Sequence, residues 1–361
     1  MIQYTEQPVF FERNRVWRVY KGGYLLGDFL GDKKEDTNYP EEWIASTVKA
    51  LNEKSAGDNE GLSFIKGTNI TLKELIDAYP AETLGNSRSL EILVKYLDSA
   101  IRLPLQAHPD RAFSEKYFNS SYGKTEMWLI LATREDASIC FGFKDKLTKE
   151  RFSEIIEESK TNKSIMDEYL NRVAVKAGDV FLIPAKAVHA IGYGCLILEV
   201  QEPTDFTVQP EYWCGDHLLS RKEMYLDLEK DAALDCFDYS IYGGECIALS
   251  KREPRLIFEN DEYRKEALIT TEDTPCFSVE KYYVSKSLLL ECAPAIYVVA
   301  DGTGILEGRG YQEKVKKGDY FFLPKNALGN IKVTADSGCQ LEIVACIPPC
   351  HPLNSNWRMA G

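Results

Sequence analysis

Four residues of types that bind metal ions stand at spacings that strands could bring together: Gln106, His108, Glu126 and His189. A β-strand through LPLQAHPD would place Gln106 and His108, two positions apart, on one face of a sheet. Glu126 opens the run EMWLIL, and His189 follows the run FLIP. Oxygen and imidazole ligands suit zinc, manganese or a similar ion and leave positions for substrate oxygen. The spacing alone fits unrelated strand residues equally well.

The elements that would carry these residues are short strands. Most of the chain consists of apolar or alternating runs broken by Gly, Pro, Asn and Asp, which is typical of barrels and sandwiches. Two segments have helical spacing instead: residues 71–79, with Thr71 as a cap and Glu74 three positions on, and about residues 148–172. The sequence predicts a mainly β protein with helical insertions.

An internal repeat indicates that one barrel has been duplicated. The pentapeptide VKAGD at 175–179 recurs as VKKGD at 315–319, and in both copies a proline follows the aspartate by five positions. His189 of the first copy corresponds to Gly329 of the second, so only the first barrel can carry the metal-binding set. We predict a metal-bearing domain over residues 1–220, a linker over 221–245 and a degenerate second barrel over 246–361.

Composition narrows the range of partners. Lys and Arg total 43 against 56 Asp and Glu, a net charge of −13, and no basic tail offsets it. Nucleic acid and anionic membranes are therefore not expected as partners. The first residues carry no basic leader followed by a long apolar run, which predicts an unexported, cytoplasmic protein. The sequence does not indicate the oligomeric state.

The motifs around these residues resemble those of class I mannose-6-phosphate isomerases. LPLQAHPD, GKTEMW, VKAGDVFLIPAKAVHAIG and LEVQEPTDFT follow in the family's order, and YPEEWIAST resembles a further family stretch, so the likeness spans roughly residues 10–210. It implies two cupin jelly-roll barrels and an isomerase that interconverts mannose 6-phosphate and fructose 6-phosphate. It also implies one divalent metal ion, zinc as the first choice, and a sugar phosphate as the small-molecule partner.

The resemblance also assigns roles to single residues. Gln106, His108, Glu126 and His189 fall on the family's four metal ligands. Lys124 falls on an active-site lysine that would contact substrate, and Lys95 falls on a lysine associated with substrate phosphate. Glu199 matches a position considered for proton transfer. The alternative for Glu199 is a strand carboxylate facing solvent, because its apolar neighbours would point the other way.

The chain departs from the family's pattern on the phosphate side. The resemblance implies a catalytic and phosphate-binding arginine where this chain has Gln209, and a serine where it has Pro104. Glutamine can form hydrogen bonds but has no charge, so phosphate binding should weaken, and Arg102 or Arg111 could supply a replacement charge. Gln209 stays a candidate catalytic residue.

Three alternative functions remain open. The first is an isomerase of a different, even unphosphorylated, sugar, which would account for Pro104 and Gln209 together. The second is a catalytically inactive cupin that binds a sugar or sugar phosphate. The third is a cupin oxygenase, because two histidines and a carboxylate can bind iron.

Overall fold

The structure, a computed structural model, describes residues 1–52, 57 and 59–349, so the end of the predicted second domain, residues 350–361, lies outside the description. The chain forms two compact units. The central unit contains Arg13–Leu62 and Leu93–Pro254. The terminal unit contains Met1–Glu12, Ser63–Ile92 and Arg255–Gly361. This division differs from the predicted boundaries, because two N-terminal segments belong to the same unit as the C-terminal barrel.

The central unit consists of antiparallel sheets that face each other across an apolar core. Its strands are β1 (Arg15–Val16), β2 (Glu41–Ile44), β3 (Leu93–Asp98), β4 (Glu126–Thr133), β5 (Ser138–Phe143), β6 (Leu170–Ala174), β7 (Val180–Ile183), β8 (His189–Ile191), β9 (Cys195–Gln201), β10 (Trp213–Cys214), β11 (His217–Leu218) and β12 (Lys251–Arg252). The large sheet has the order β1-β2-β3-β9-β4-β7-β12, a smaller one has the order β6-β5-β8, and β10 pairs with β11. Trp128 and Phe181 of the large sheet and Phe141 of the smaller one are buried in the same cluster.

The terminal unit repeats this arrangement. Its strands are β13 (Arg255–Glu259), β14 (Tyr263–Ile269), β15 (Ser278–Val284), β16 (Ser287–Leu289), β17 (Ala295–Asp301), β18 (Thr303–Gly308), β19 (Tyr311–Lys316), β20 (Tyr320–Leu323), β21 (Lys332–Ala335) and β22 (Leu341–Ile347). They form sheets of order β13-β14-β15-β22-β17-β20 and β16-β21-β18-β19. Tyr297, Phe321 and Leu306 join these sheets in one buried core. The predicted mainly β class is confirmed.

Helices are short. They are α1 (Tyr24–Leu30), α2 (Leu72–Ala78), α3 (Pro80–Leu84), α4 (Arg111–Phe118), α5 (Lys149–Ser159), α6 (Ile165–Tyr169), α7 (Arg221–Tyr225) and α8 (Lys230–Leu234), with 3₁₀ turns at Ile2–Thr5, Gly244–Leu249 and Lys325–Ala327. The helix predicted at 71–79 is confirmed as α2. None of the helices within the described ranges combines the length and apolar character that crossing a bilayer requires.

The single helix predicted over about residues 148–172 is two helices, α5 and α6, and the prediction is wrong from Leu170 onward. Thr148 caps α5, but the helix ends at Ser159 and the chain continues through the polar stretch 160–164 into α6. The segment from Leu170 onward is a strand that pairs with β5. Sheet pairing, which lies outside the local pattern, overrides helical spacing there.

The segment 221–245, predicted as a linker, carries α7 and α8. Met224, Tyr225 and Leu234 of these helices are buried in an apolar cluster of the central unit. Charged residues alternate with the buried ones, so the helical face is hard to see in a window this short. The segment is therefore part of the central unit and not a connection between units.

The duplicated pentapeptide forms the same turn in both units. The backbone N–H of Lys176 donates to the Asp179 carboxylate at 3.0 Å, and that of Lys316 donates to Asp319 at 2.9 Å. The glycine of each turn has a left-handed φ, 93° and 89°, which a side chain would strain. The strand after each turn, β7 or β20, pairs with the equivalent strand, β4 or β17. These equivalences support the predicted duplication.

Thr71 caps α2 through reciprocal hydrogen bonds. Its hydroxyl accepts from the Glu74 N–H at 3.1 Å, and the Glu74 carboxylate accepts from the Thr71 N–H at 2.8 Å. Thr71→Ala is expected to lower the free energy of unfolding by about 1 kcal/mol, measured by urea denaturation. Thr71→Ser keeps the hydroxyl and serves as the control. An alanine variant as stable as the wild type would show that the cap contributes nothing.

Candidate active site

The large sheet of the central unit aligns polar side chains on its interior face. Lys95 of β3, Glu199 of β9 and Trp128 of β4 lie directly opposite one another in register, and Trp43 of β2 extends this row. Opposite residues of an antiparallel sheet point to the same face. Glu126, two positions from Trp128, shares that face. Glu199 is therefore directed into the protein and not toward solvent, and it is buried.

The four residues predicted to bind metal converge beside this row. The ligand atoms of His108, Glu126 and His189 all lie within 4.8 Å of one another. Nε2 of His108 is 3.2 Å from Glu126 Oε2, and Nε2 of His189 is 3.4 Å from Glu126 Oε1. Gln106 and His189 exchange backbone hydrogen bonds at 2.9 Å, and the Gln106 side chain lies 3.3 Å from the His189 ring.

The histidine rings are oriented as metal ligands would be. Nδ1 of His108 lies 3.0 Å from the Phe206 carbonyl oxygen, and Nδ1 of His189 lies 2.9 Å from that of Ala187. A proton on each Nδ1 satisfies these carbonyls and leaves both Nε2 lone pairs facing the cluster. The Gln106 amide can present its oxygen by rotation, because the two ends of an amide are interchangeable in such a network.

The electrostatics of the cluster also fit a bound cation. Burial, reinforced by Lys124, lowers the pKa of His108 to about 3, so its ring is neutral. Burial would raise the pKa of Glu126, but Lys124 holds it well below its usual range. Oε2 of Glu126 is buried and accepts no hydrogen bond, although Lys124 Nζ lies 3.1 Å away. Two imidazoles, a carboxylate and an amide are a donor set for a divalent metal ion.

A second buried charge network adjoins the cluster. Lys95 Nζ lies 3.4 Å from Glu199 Oε1 and 3.9 Å from Glu41 Oε2. Glu41 also accepts from the Trp43 indole at 2.6 Å and from Arg18 at 2.9 Å. Burial would raise the pKa of Glu41, but Arg18 and Lys95 lower it to about 2. Burial raises the pKa of Glu199, and Lys95 only partly opposes this.

One cavity of about 450 Å³ in the central unit is lined by Gln106 of the cluster and by Glu41, Lys95 and Glu199 of the second network. Its walls include six residues from the sequence-based predictions, namely Lys95, Pro104, Gln106, Lys124, Glu199 and Gln209. Arg102 and Arg111, considered as replacement charges, are not among the lining residues; Arg102 instead pairs with Glu211 at 2.6 Å and Arg111 with Glu202 at 2.9 Å.

The Gln209 side chain is engaged with a neighbouring helix. Its amide donates to the Glu223 carbonyl at 3.0 Å, and its backbone N–H donates to the Met224 carbonyl at 3.0 Å. Both acceptors lie in the last turn of α7, whose carbonyls have no partner within the helix. Gln209 therefore stabilises α7 at the cavity wall.

Sequence reasoning missed several charged residues of the cavity, among them Arg18, Glu41, Asp205 and Lys222. Of these, only Glu41 stands in a sequence pattern that could have indicated it. It precedes Trp43 by two positions, as Glu126 precedes Trp128, and in both pairs the indole N–H donates to the carboxylate. The remaining three depend on tertiary packing of loops and of α7.

Comparisons with known proteins agree with this description. A scan against models of protein families finds no match. The chain is 30% identical over 345 residues to mannose-6-phosphate isomerase ManA of Bacillus subtilis (strain 168), covering 93% of this chain and 98% of the relative. It is 27% identical over 347 residues to the mannose-6-phosphate isomerase of Streptococcus mutans, covering 94% and 98%.

Solved structures show the same fold. Mannose 6-phosphate isomerase from Bacillus subtilis aligns with a TM-score of 0.72 at 23% identity, over 94% of this chain and 99% of that one. A phosphomannose isomerase variant from Salmonella typhimurium aligns with a TM-score of 0.69 at 13% identity, over 95% and 100%. Fold and site together define a cupin protein with a site able to bind a metal ion. The chain belongs to the mannose-6-phosphate isomerase family.

Proposed function

We propose that this protein is a metal-dependent isomerase that interconverts mannose 6-phosphate and fructose 6-phosphate. Family membership supports the substrate and the reaction. The observation that carries the mechanism is the shared cavity: Gln106 of the cluster and the adjacent Lys124 line it together with the buried carboxyl of Glu199. A cytoplasmic location stays a prediction from the sequence.

In this proposal Gln106, His108, Glu126 and His189 hold one divalent ion, with zinc as the first candidate. Their atoms are close enough together and oriented for this role. When bound, such an ion supplies Lewis acidity that stabilises negative charge on substrate oxygens. The same ligands accept several ions, so the choice of metal in the cell follows availability as well as chemistry.

Glu199 is the proposed proton-transfer residue. Exchange of an aldose and a ketose moves a proton between C1 and C2 through an enediol, which needs a base that later returns the proton. Burial raises the pKa of Glu199, which makes its carboxylate a stronger base than an exposed one. Oε1 accepts no hydrogen bond and so has a lone pair for the substrate proton. Lys95, at 3.4 Å, positions this carboxylate and limits the rise of its pKa.

Lys124 is the proposed donor to a substrate oxygen at the reacting carbons. Its Nζ lies 2.8 Å from His108 Nε2 and 3.1 Å from Glu126 Oε2, and Lys124 lines the cavity. The resemblance associated Lys95 with substrate phosphate and Lys124 with a substrate contact. Because both ammonium groups already face carboxylates, we assign them to the sugar's oxygens instead. For Gln209, predicted as catalytic, we propose a positioning role through α7.

Metal removal tests the proposal directly. Zinc-loaded protein is expected to turn over mannose 6-phosphate at ordinary enzyme rates, whereas protein treated with a chelator and dialysed should lose at least about 99% of that rate. Restoring zinc to the treated protein should recover turnover, which controls for damage during treatment. Turnover that is indifferent to chelation would exclude the metal-dependent mechanism, and absence of turnover in the loaded protein would exclude the reaction.

One observation favours a second candidate, an isomerase of an unphosphorylated sugar. Among the described lining residues, Arg18, Lys95 and Lys124 are cations already paired with carboxylates. A neutral sugar would need no further positive charge in the cavity. Matched panels of free and phosphorylated mannose, fructose and glucose separate the candidates, because this second candidate predicts faster turnover of a free sugar.

A further inference from the structure

We infer that Lys222, on α7, binds the phosphate group of the substrate and sets the preference for phosphorylated sugars. The inference rests on the proposed function, because it names the group that recognises one part of the proposed substrate. Lys222 lines the same cavity as Lys124 and Glu199, but it comes from a helix and not from the sheet.

The other lining cations within the described residues are committed to buried pairs. Arg18 lies 2.9 Å from Glu41 and 2.9 Å from Asp205. Lys95 and Lys124 face Glu199 and Glu126 as described above. Withdrawing a cation from a buried pair leaves an uncompensated carboxylate in a poorly hydrated place, which is strongly unfavourable. A phosphate dianion would compete poorly for these three groups.

Lys222 is in a different situation. Within residues 1–52, 57 and 59–349, Lys222 forms an ion pair with Asp227 alone, at 3.8 Å, and the two side chains are 61% and 72% exposed. Long, exposed ion pairs are weak because water and salt screen them. A phosphate monoester carries nearly two negative charges at neutral pH and offers several acceptor oxygens. Lys222 can therefore exchange Asp227 for phosphate at little cost.

The helix that carries Lys222 is held firmly against the cavity. Ser220 and Glu223 form a capping box at its start, with hydrogen bonds of 3.1 and 2.7 Å. The Glu223 carboxylate also lies 3.1 Å from His217. At its end, Gln209 donates to the carbonyls of Glu223 and Met224. Because the helix is fixed at both ends, the backbone that carries Lys222 loses little conformational entropy when phosphate binds.

The backbone after α7 is held in an uncommon conformation. Leu226 and Asp227 are consecutive residues with φ of 53° and 64°, in the left-handed region that side chains other than glycine disfavour. Both line the cavity. Such conformations persist where the surrounding structure enforces them, and they cluster at ligand-binding sites. Leu226 and Asp227 thus belong to the same cavity wall as Lys222.

The chemistry of the substrate requires a cation at such a place. In a hexose 6-phosphate, C1 and C2 lie at the opposite end of the sugar from the phosphate. With C1 and C2 beside Lys124 and Glu199, the phosphate must find its charge partner outside the metal cluster. Among the described lining residues, Lys222 is the cation that is neither in that cluster nor in a buried pair.

Three variants of the full-length, zinc-loaded protein test this role. Lys222→Gln removes the charge, Lys222→Arg keeps it, and Lys146→Gln removes one exposed lysine elsewhere as a control for net charge. For Lys222→Gln, KM for mannose 6-phosphate and the inhibition constant of inorganic phosphate should both rise about tenfold or more, with kcat within about twofold. Lys222→Arg should restore both constants. The rise of KM with added salt should also be smaller in Lys222→Gln than in wild type.

The outcomes separate the two proposals. If wild type turns over mannose 6-phosphate and Lys222→Gln matches Lys146→Gln in KM and in inhibition by phosphate, the role of Lys222 is wrong while the proposed function stands. If wild type shows no turnover, the proposed function fails, and calorimetric titration with inorganic phosphate decides on Lys222 alone. Weaker phosphate binding by Lys222→Gln than by Lys146→Gln would support the role, and equal binding would overturn it.

Discussion

The His189→Ala variant is expected to lose its metal ion and, with it, nearly all isomerase turnover. His189 is fully buried, its Nε2 lies 3.4 Å from Glu126 Oε1, and its backbone is paired with Gln106. The alanine side chain has no nitrogen with which to replace the lost imidazole ligand. Lewis-acid stabilisation by a metal is worth several kcal/mol, so kcat should fall on the order of a thousandfold or more.

Metal content and kcat measured on the same preparation check this result. Val188→Ala truncates the adjacent buried side chain, which packs in an apolar cluster, and controls for a general loss of stability. That control should unfold more easily yet retain one metal ion per chain and normal kcat. A folded His189→Ala protein with stoichiometric zinc and unchanged kcat would remove His189 from the ligand set.

How far the sequence predicts this site depends on which interactions are local. Gln106 and His108 stand two positions apart, and strand geometry alone puts them on one face. The pairing of Gln106 with His189 is a contact across 83 residues, which spacing does not encode. The duplicated turn helped here, because it predicted the strand that follows it, β7, and this strand ends shortly before His189.

Other features resisted prediction for physical reasons. The terminal unit collects three segments from distant parts of the chain, and no local composition change marks their ends. Lys222 lies on a helix of only five residues, and a helix this short with several charged residues shows no clear pattern of buried positions in the sequence. Gln209 was predicted from the missing arginine, but its amide is directed at α7, and that direction depends on a tertiary contact. Local patterns thus predicted the metal side of the cavity better than the side formed by α7.

The Glu199→Gln variant is expected to keep its metal and lose catalysis. Glutamine has nearly the same shape and can still face Lys95, but it cannot accept the substrate proton. Loss of a general base lowers kcat by roughly a hundredfold to ten-thousandfold. No hydrogen bond or ion pair in the described part of the chain joins Glu199 to the four proposed ligands, so zinc content should match wild type, and KM should change far less than kcat. This separates Glu199 from His189, whose loss removes metal and rate together.

The pH dependence gives an independent test of the same residue. Burial raises the pKa of Glu199 above its ordinary 4.5, so the carboxyl stays protonated, and inactive as a base, to a higher pH than an exposed glutamate. The kcat/KM of wild type should therefore fall toward acid with an inflection above 4.5, and the residual activity of Glu199→Gln should lack it. Glu199→Asp keeps a carboxyl and should keep the inflection at a reduced rate. An inflection that persists unchanged in Glu199→Gln would assign proton transfer to another group, because a side chain that cannot titrate cannot produce it.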